Sequence, residues 1–219
     1  MGFSDRLLAE GADIWDAQRT HPFVTELADG TLEEAAFQYW IEQDYLYLLD
    51  YARVFALAGA RASEERLMTE LQGVAHETLN TEMDLHRAFA EEYGRSRTDL
   101  EAVEKAPTTQ AYTDFLVRTA YEGSLAELSA ALYPCEQGFL DVAAAAAERA
   151  EGEHRYTPWI DLYTSETFHE VVDQARSFVD RMAERNPGER EAMREAFMTS
   201  ARWEYEFWTM AYRQEAWSI

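Results

Sequence analysis

Apolar residues in this chain recur at intervals of three and four along almost its whole length. No alternation of apolar and polar residues runs longer than four. The first period lines one face of a helix, and the period of two that a half-buried strand needs is missing. Glycine numbers 10 and proline 5, mostly at the joints between helical patterns. The chain is therefore all-α, and a helical bundle is the natural way to bury such faces. The spacing predicts helices over 3–18, from Thr31 to about Gly59, and from Ser63 to Gly94, and further helices over 108–132, 134–150, 157–184 and 187–214. His21-Pro22 stops the first. Thr31 caps the second, with Glu34 completing a capping box. Residues 95–107 form a polar connector, and Pro187 falls near a first turn, where proline is tolerated. At 219 residues and 47% hydrophobic content, the chain can bury a good core and reads as one domain spanning 1–219.

The charge balance narrows the partners. Lys+Arg number 19 against 42 Asp+Glu, a formal net charge of −23, and Lys105 is the only lysine. Such a field repels nucleic acid and anionic membrane. It also repels itself in dilute buffer, whereas at ~1 M salt the screening length shrinks to roughly 3 Å. The acidity reads as adaptation to a salty cytoplasm. One cysteine rules out an intrachain disulfide and a cysteine-rich zinc site. The first residues show no basic segment followed by an apolar stretch, and no run of about 18 apolar residues occurs. The expectation is a soluble, cytoplasmic protein.

Three places carry residues suited to chemistry. Cys135 follows Pro134 in the middle of an apolar helical pattern. Pro134 has no N–H for the Ala130 carbonyl, so the helix should kink or restart there. A restart would set Cys135 beside unpaired amides at a positive helix end, which lowers a thiol pKa; a lone cysteine is equally a small buried hydrophobe. Asp44, Tyr47 and Tyr51 share one helix face. They suit a polar ligand between aromatic walls, or a core aspartate bonded to tyrosine hydroxyls. Glu204 shares a face with Phe207 on a helix ringed with aromatics. A carboxylate there is either a general acid/base or a partner for Arg202 or another arginine. Glu166 with His169, Glu151 with His154, and Glu82 with His86 have the spacing of metal-binding pairs. Gly152 and Pro158 place Glu151 in a turn, and two more inward glutamates would be needed, so no metal site is assigned.

Five segments resemble the TenA family (thiaminase II, aminopyrimidine aminohydrolase), in order along most of the chain. They are His21-Pro22-Phe23, Gln43-Asp44-Tyr45, Leu132-Tyr133-Pro134-Cys135, the run Trp159 to Ser165, and Glu204 to Trp208. The resemblance implies a haem-oxygenase-like fold and a homotetramer. Its site residues would fall on Asp44, Tyr47, Tyr112, Cys135, Phe139, Tyr163, Glu204 and Phe207, of the cysteine-bearing branch. Phe139 stands where members often have tyrosine and lacks that hydroxyl.

The implied reaction is hydrolysis at the 5-methylene of a 4-amino-2-methylpyrimidine, releasing an amine and leaving hydroxymethylpyrimidine for thiamin salvage. Cys135 would add to the electron-poor ring, Glu204 would move the proton, and Asp44 would bind the ring's polar edge with Tyr112 and Tyr163. Tyr47, Phe139 and Phe207 would pack the ring. No metal or organic cofactor is called for. Two alternatives stay open at this point: a di-iron carboxylate oxygenase on the same scaffold, and a non-catalytic pyrimidine-binding or regulatory protein.

Overall fold

The computed structural model describes residues 2–219. Its helices are α1 (Phe3–Glu10), α2 (Ala12–Arg19), α3 (Pro22–Ala28), α4 (Glu34–Arg61), α5 (Glu65–Glu77), α6 (Met83–Glu92), α7 (Arg97–Ala102), α8 (Pro107–Glu122), α9 (Leu125–Arg149), α10 (Thr157–Tyr163), α11 (Glu166–Arg185) and α12 (Arg190–Arg213). A π-turn, Thr78–Glu82, joins α5 to α6, and a 3-10 turn, Pro187–Glu189, precedes α12. The described residues contain no strand.

Several joints differ from the sequence reading, each for a local reason. The first predicted helix breaks at Gly11, where an added Cβ would sit 3.1 Å from Trp15 Nε1; glycine lets the indole close on the backbone. His21-Pro22 stops one helix and also starts another. The His21 Nδ1 accepts from the Phe23 N–H at 3.1 Å, and Pro22 takes the first turn of α3. Thr31 does not cap α4. Its hydroxyl donates back to the Glu26 carbonyl, and the helix starts at Glu34. The connector holds α7, closed by a Ser96–Asp99 capping box. The 157–184 pattern breaks in two where Ser165 Oγ accepts from the Phe168 N–H at 3.2 Å.

The largest departure concerns Pro134. α9 neither restarts nor ends there but runs unbroken from Leu125 to Arg149 with Pro134 inside it. An internal proline costs a helix about 3 kcal/mol, and side chains bridge this one lengthwise. Tyr133 Oη donates to Gln137 Oε1 at 2.8 Å, and Gln137 Nε2 donates to Asp141 Oδ1 at 3.0 Å. Arg19 ties off Asp141 at 3.0 Å. Cys135 therefore lies in mid-helix, and the amides of a helix start do not surround it.

The chain forms two compact units. One comprises the residues up to Glu33 with Ala126–Thr209. Its core packs Trp15 edge-on and Tyr133 at a tilt against Phe197, with ring centroids 5.8 and 6.0 Å apart, among buried Leu7, Val179 and Met193. The other comprises Glu34–Leu125 with Met210–Ile219. α4 is its axis, packed by α5, α6 and α8 and burying Phe37, Trp40, Ile41 and Val54. Each such side chain contributes roughly 1.5–3 kcal/mol of transfer free energy.

Candidate active site

The eight residues expected to form the site fall into two sets, one in each unit. In the first unit, Cys135 and Phe139 are one turn apart on α9. Cys135 is half-buried and outside any disulfide. Phe139 is walled by Tyr163 at 4.9 Å, Trp208 at 5.2 Å and Trp159 at 6.2 Å between ring centroids. Tyr163 ends α10 and is half-buried, and Phe168 meets its ring edge-on at 5.0 Å. α12 supplies Glu204, Phe207 and Trp208, at i, i+3 and i+4 and therefore on one face. All three are buried, Glu204 to 2% exposure. Arg202 is exposed, which turns it away from the buried face of Glu204.

That face of α12 is fixed from α2 and α3. Gln18 Oε1 accepts from the Trp208 indole N–H at 3.3 Å, and Gln18 Nε2 reaches the Ala201 carbonyl. His21 Nε2 lies 3.2 Å from Thr209 Oγ1, and its ring packs edge-on against Tyr205 at 5.3 Å. The motif His21-Pro22-Phe23 therefore orients the helix that carries Glu204, with Phe23 5.4 Å from Trp208.

In the second unit, Asp44, Tyr47 and Tyr51 lie along α4 as the spacing predicts, all buried. Tyr112 of α8 packs on Tyr47 with centroids 5.3 Å apart, and Tyr51 lies 5.9 Å from Tyr47. Gln43 sets the register between the two helices. Its Oε1 accepts from the Ala106 N–H at 2.9 Å and from Thr109 Oγ1 at 2.7 Å, and its Nε2 donates to the Glu104 carbonyl at 3.0 Å. With Pro107 in the first turn, α8 starts where Gln43 pins it, and Tyr112 follows from there. Lys105 adds a second anchor to α4 through Asp50, and donates to Thr113 Oγ1 at 2.8 Å. Burial pushes the Asp50 carboxyl up, but Lys105 and Arg53 outweigh it and hold the group below the ordinary range. The Trp217 indole N–H donates to the Lys105 carbonyl at 2.9 Å, and Glu215 Oε2 accepts from the Thr108 N–H at 3.0 Å.

The carboxylate–histidine pairs are spent elsewhere. His154 Nε2 contacts the Ala28 carbonyl at 3.0 Å and its Nδ1 accepts from the Tyr156 N–H at 3.2 Å. Glu166 and His169 are exposed. His86 sits inside the second unit, its Nε2 2.6 Å from the Ile41 carbonyl. By spacing alone it is only the partner of Glu82, and its contact with Asp44, at 3.5 Å from Oδ2, is unforeseen. Nothing in the local sequence signals that contact, because it joins helices far apart in the chain.

A family model described as TENA/THI-4/PQQC matches residues 8–214. An aminopyrimidine aminohydrolase of Halalkalibacterium halodurans is 40% identical over 221 residues, 100% of this chain and 99% of that protein. Among solved structures, a TenA homologue from P. horikoshii OT3 superimposes with a TM-score of 0.91 at 28% identity, covering 97% of this chain and 99% of the other. A Shewanella denitrificans domain with a heme oxygenase-like fold matches at a TM-score of 0.77 and 15% identity, covering 96% and 92%. That likeness concerns the fold alone. The fold is haem-oxygenase-like, and this chain belongs to the TENA/THI-4/PQQC family.

Proposed function

We propose that the chain hydrolyses 4-amino-5-aminomethyl-2-methylpyrimidine, releasing ammonia and leaving hydroxymethylpyrimidine for thiamin salvage. The observation that carries this is the aminopyrimidine aminohydrolase relative, 40% identical across essentially both whole chains. The residue types suit the chemistry. Glu204 takes the proton of the Cys135 thiol, and the thiolate adds to an electron-poor carbon of the pyrimidine. Return of the electrons from the ring expels the amine, which leaves as ammonia carrying the proton from Glu204. Water adds at the methylene and gives Glu204 a proton again. Loss of the thiolate then restores the ring, and Glu204 returns its proton to the Cys135 sulfur. Every step uses a nucleophile, a proton carrier and water, with no cofactor.

In this reading Asp44 binds the polar edge of the pyrimidine, Tyr112 and Tyr163 assist it, and Tyr47, Phe139 and Phe207 pack the ring. The enzyme works as a homotetramer in the cytoplasm. With a net charge of −23 it engages neither nucleic acid nor anionic membrane, and no helix among the described residues is long and apolar enough to cross a membrane.

The test is a parallel assay of thiamin, the aminomethylpyrimidine and its formylated derivative. Ammonia should be released from the aminomethylpyrimidine faster than either competitor reacts. Pyrimidine binding without release of ammonia or thiazole from any of the three would make this a binding protein instead.

A further inference from the structure

His86 has no part in the chemistry assigned above, yet it is buried against a residue that does. α6 delivers it to α4, where Nε2 lies 2.6 Å from the Ile41 carbonyl oxygen. A carbonyl only accepts, so Nε2 carries the ring hydrogen. Nδ1, on the other side of the ring, then turns toward Asp44 at 3.5 Å from Oδ2. The Trp40 ring packs at a tilt against the imidazole, centroids 5.8 Å apart, and both His86 and Asp44 are almost fully removed from solvent. The titratable groups beside His86 are Asp44, Glu82 one turn earlier, and Arg87 next in sequence. Burial lowers the imidazole pKa to about 4 against the bond to Ile41, with Arg87 adding to the effect. The ring is therefore neutral at pH 7 and Nδ1 is a bare acceptor. A bare acceptor facing an ionised carboxylate repels it, and one hydrogen between them makes the contact attractive.

We infer that His86 is the positioning residue for Asp44: its Nε2–H is committed to Ile41, and a single hydrogen shared between Nδ1 and Asp44 Oδ2 fixes how that carboxyl faces the aminopyrimidine. The inference rests on the proposed substrate role of Asp44 for its catalytic consequence, but the contact itself does not.

The first arm of the test is free of turnover. In nitrogen-15 spectra at neutral pH, His86 should show the Nε2–H tautomer with a hydrogen-bonded Nδ1. In Asp44→Ala that Nδ1 resonance should move to the position of a bare imidazole nitrogen. An Nδ1 resonance indifferent to Asp44→Ala overturns the inference. The second arm compares two amides in the active enzyme. His86→Gln places its amide near Nε2, keeps the Ile41 bond and loses Asp44, so kcat/KM should fall roughly 10- to 100-fold, the scale of a displaced catalytic group. His86→Asn places its amide near Nδ1 and gives up the Ile41 bond, so it should recover most of that loss in kcat/KM while melting lower than His86→Gln. Wild-type kcat/KM in His86→Gln, or no recovery in His86→Asn, also overturns the inference. If wild type hydrolyses no aminopyrimidine, the functional reading fails, while the resonance arm still decides the contact.

Discussion

Phe139 fills its place by packing alone, since a phenyl ring carries no polar group. Where the resembling family often carries tyrosine, this chain has a phenyl ring enclosed by Trp159, Tyr163 and Trp208 at 4.9 to 6.2 Å. The polar atoms those three rings bring are the Tyr163 hydroxyl and two indole N–H groups, of which that of Trp208 already donates to Gln18. Glu204 is the opposite case, a charge-bearing group at 2% exposure in the same unit. If it moves the proton, Glu204→Gln should cut turnover ~100-fold or more, the usual scale for a positioned acid or base. Affinity for the product hydroxymethylpyrimidine should change far less, because the amide keeps the volume. Turnover within a few-fold of wild type would reduce Glu204 to a packing role.

At the scale of elements, the long helical patterns are legible because burial writes them into the residue order. α4 and α12 appear in the sequence as apolar faces and emerge as helices with those faces buried. The joints are less legible. Pro134 reads locally as a kink or a restart, yet α9 runs on without restarting, bridged by Tyr133, Gln137, Asp141 and Arg19 with bonds that no local rule foresees. The tyrosines and Asp44 of α4 can be placed from spacing, whereas the roles of Gln43 and His86 depend on partners far along the chain. The π-turn Thr78–Glu82 is invisible for a related reason, since one extra residue in a turn leaves the apolar pattern nearly unchanged. Burial raises the Glu82 carboxyl to about 7 from its ordinary 4.5. The folded protein therefore holds a proton that the unfolded chain releases between those values. The stability this provides is complete below about pH 4.5 and is lost as pH rises through 7. Glu82→Gln stays neutral throughout, so its melting temperature should gain on that of wild type as pH climbs from about 4.5 to about 8. Melting curves that shift in parallel across that range would show that Glu82 is not held protonated.

For the whole molecule, charge decides the response to solvent. With 42 acidic groups against 19 basic ones, and exposed pairs such as Asp29–Arg149 open to solvent screening, self-repulsion outweighs local pairing in dilute buffer. The screening length falls from roughly 30 Å at ~0.01 M to about 3 Å at ~1 M salt. Melting temperature should accordingly rise steeply from low to molar KCl, and a flat profile would make the acidity incidental. The covalent mechanism can be tested in the intact enzyme through its one cysteine. Because Cys135 sits in mid-helix, the reactivity proposed for it would rest on the groups around it and not on helix-end amides. Steady-state hydrolysis of the aminomethylpyrimidine by Cys135→Ser, measured beside product binding, isolates that reactivity. Pyrimidine binding should be retained while most of the turnover is lost, since an alcohol is a far weaker nucleophile at neutral pH. Hydrolysis by Cys135→Ser at close to the wild-type rate would contradict the covalent mechanism.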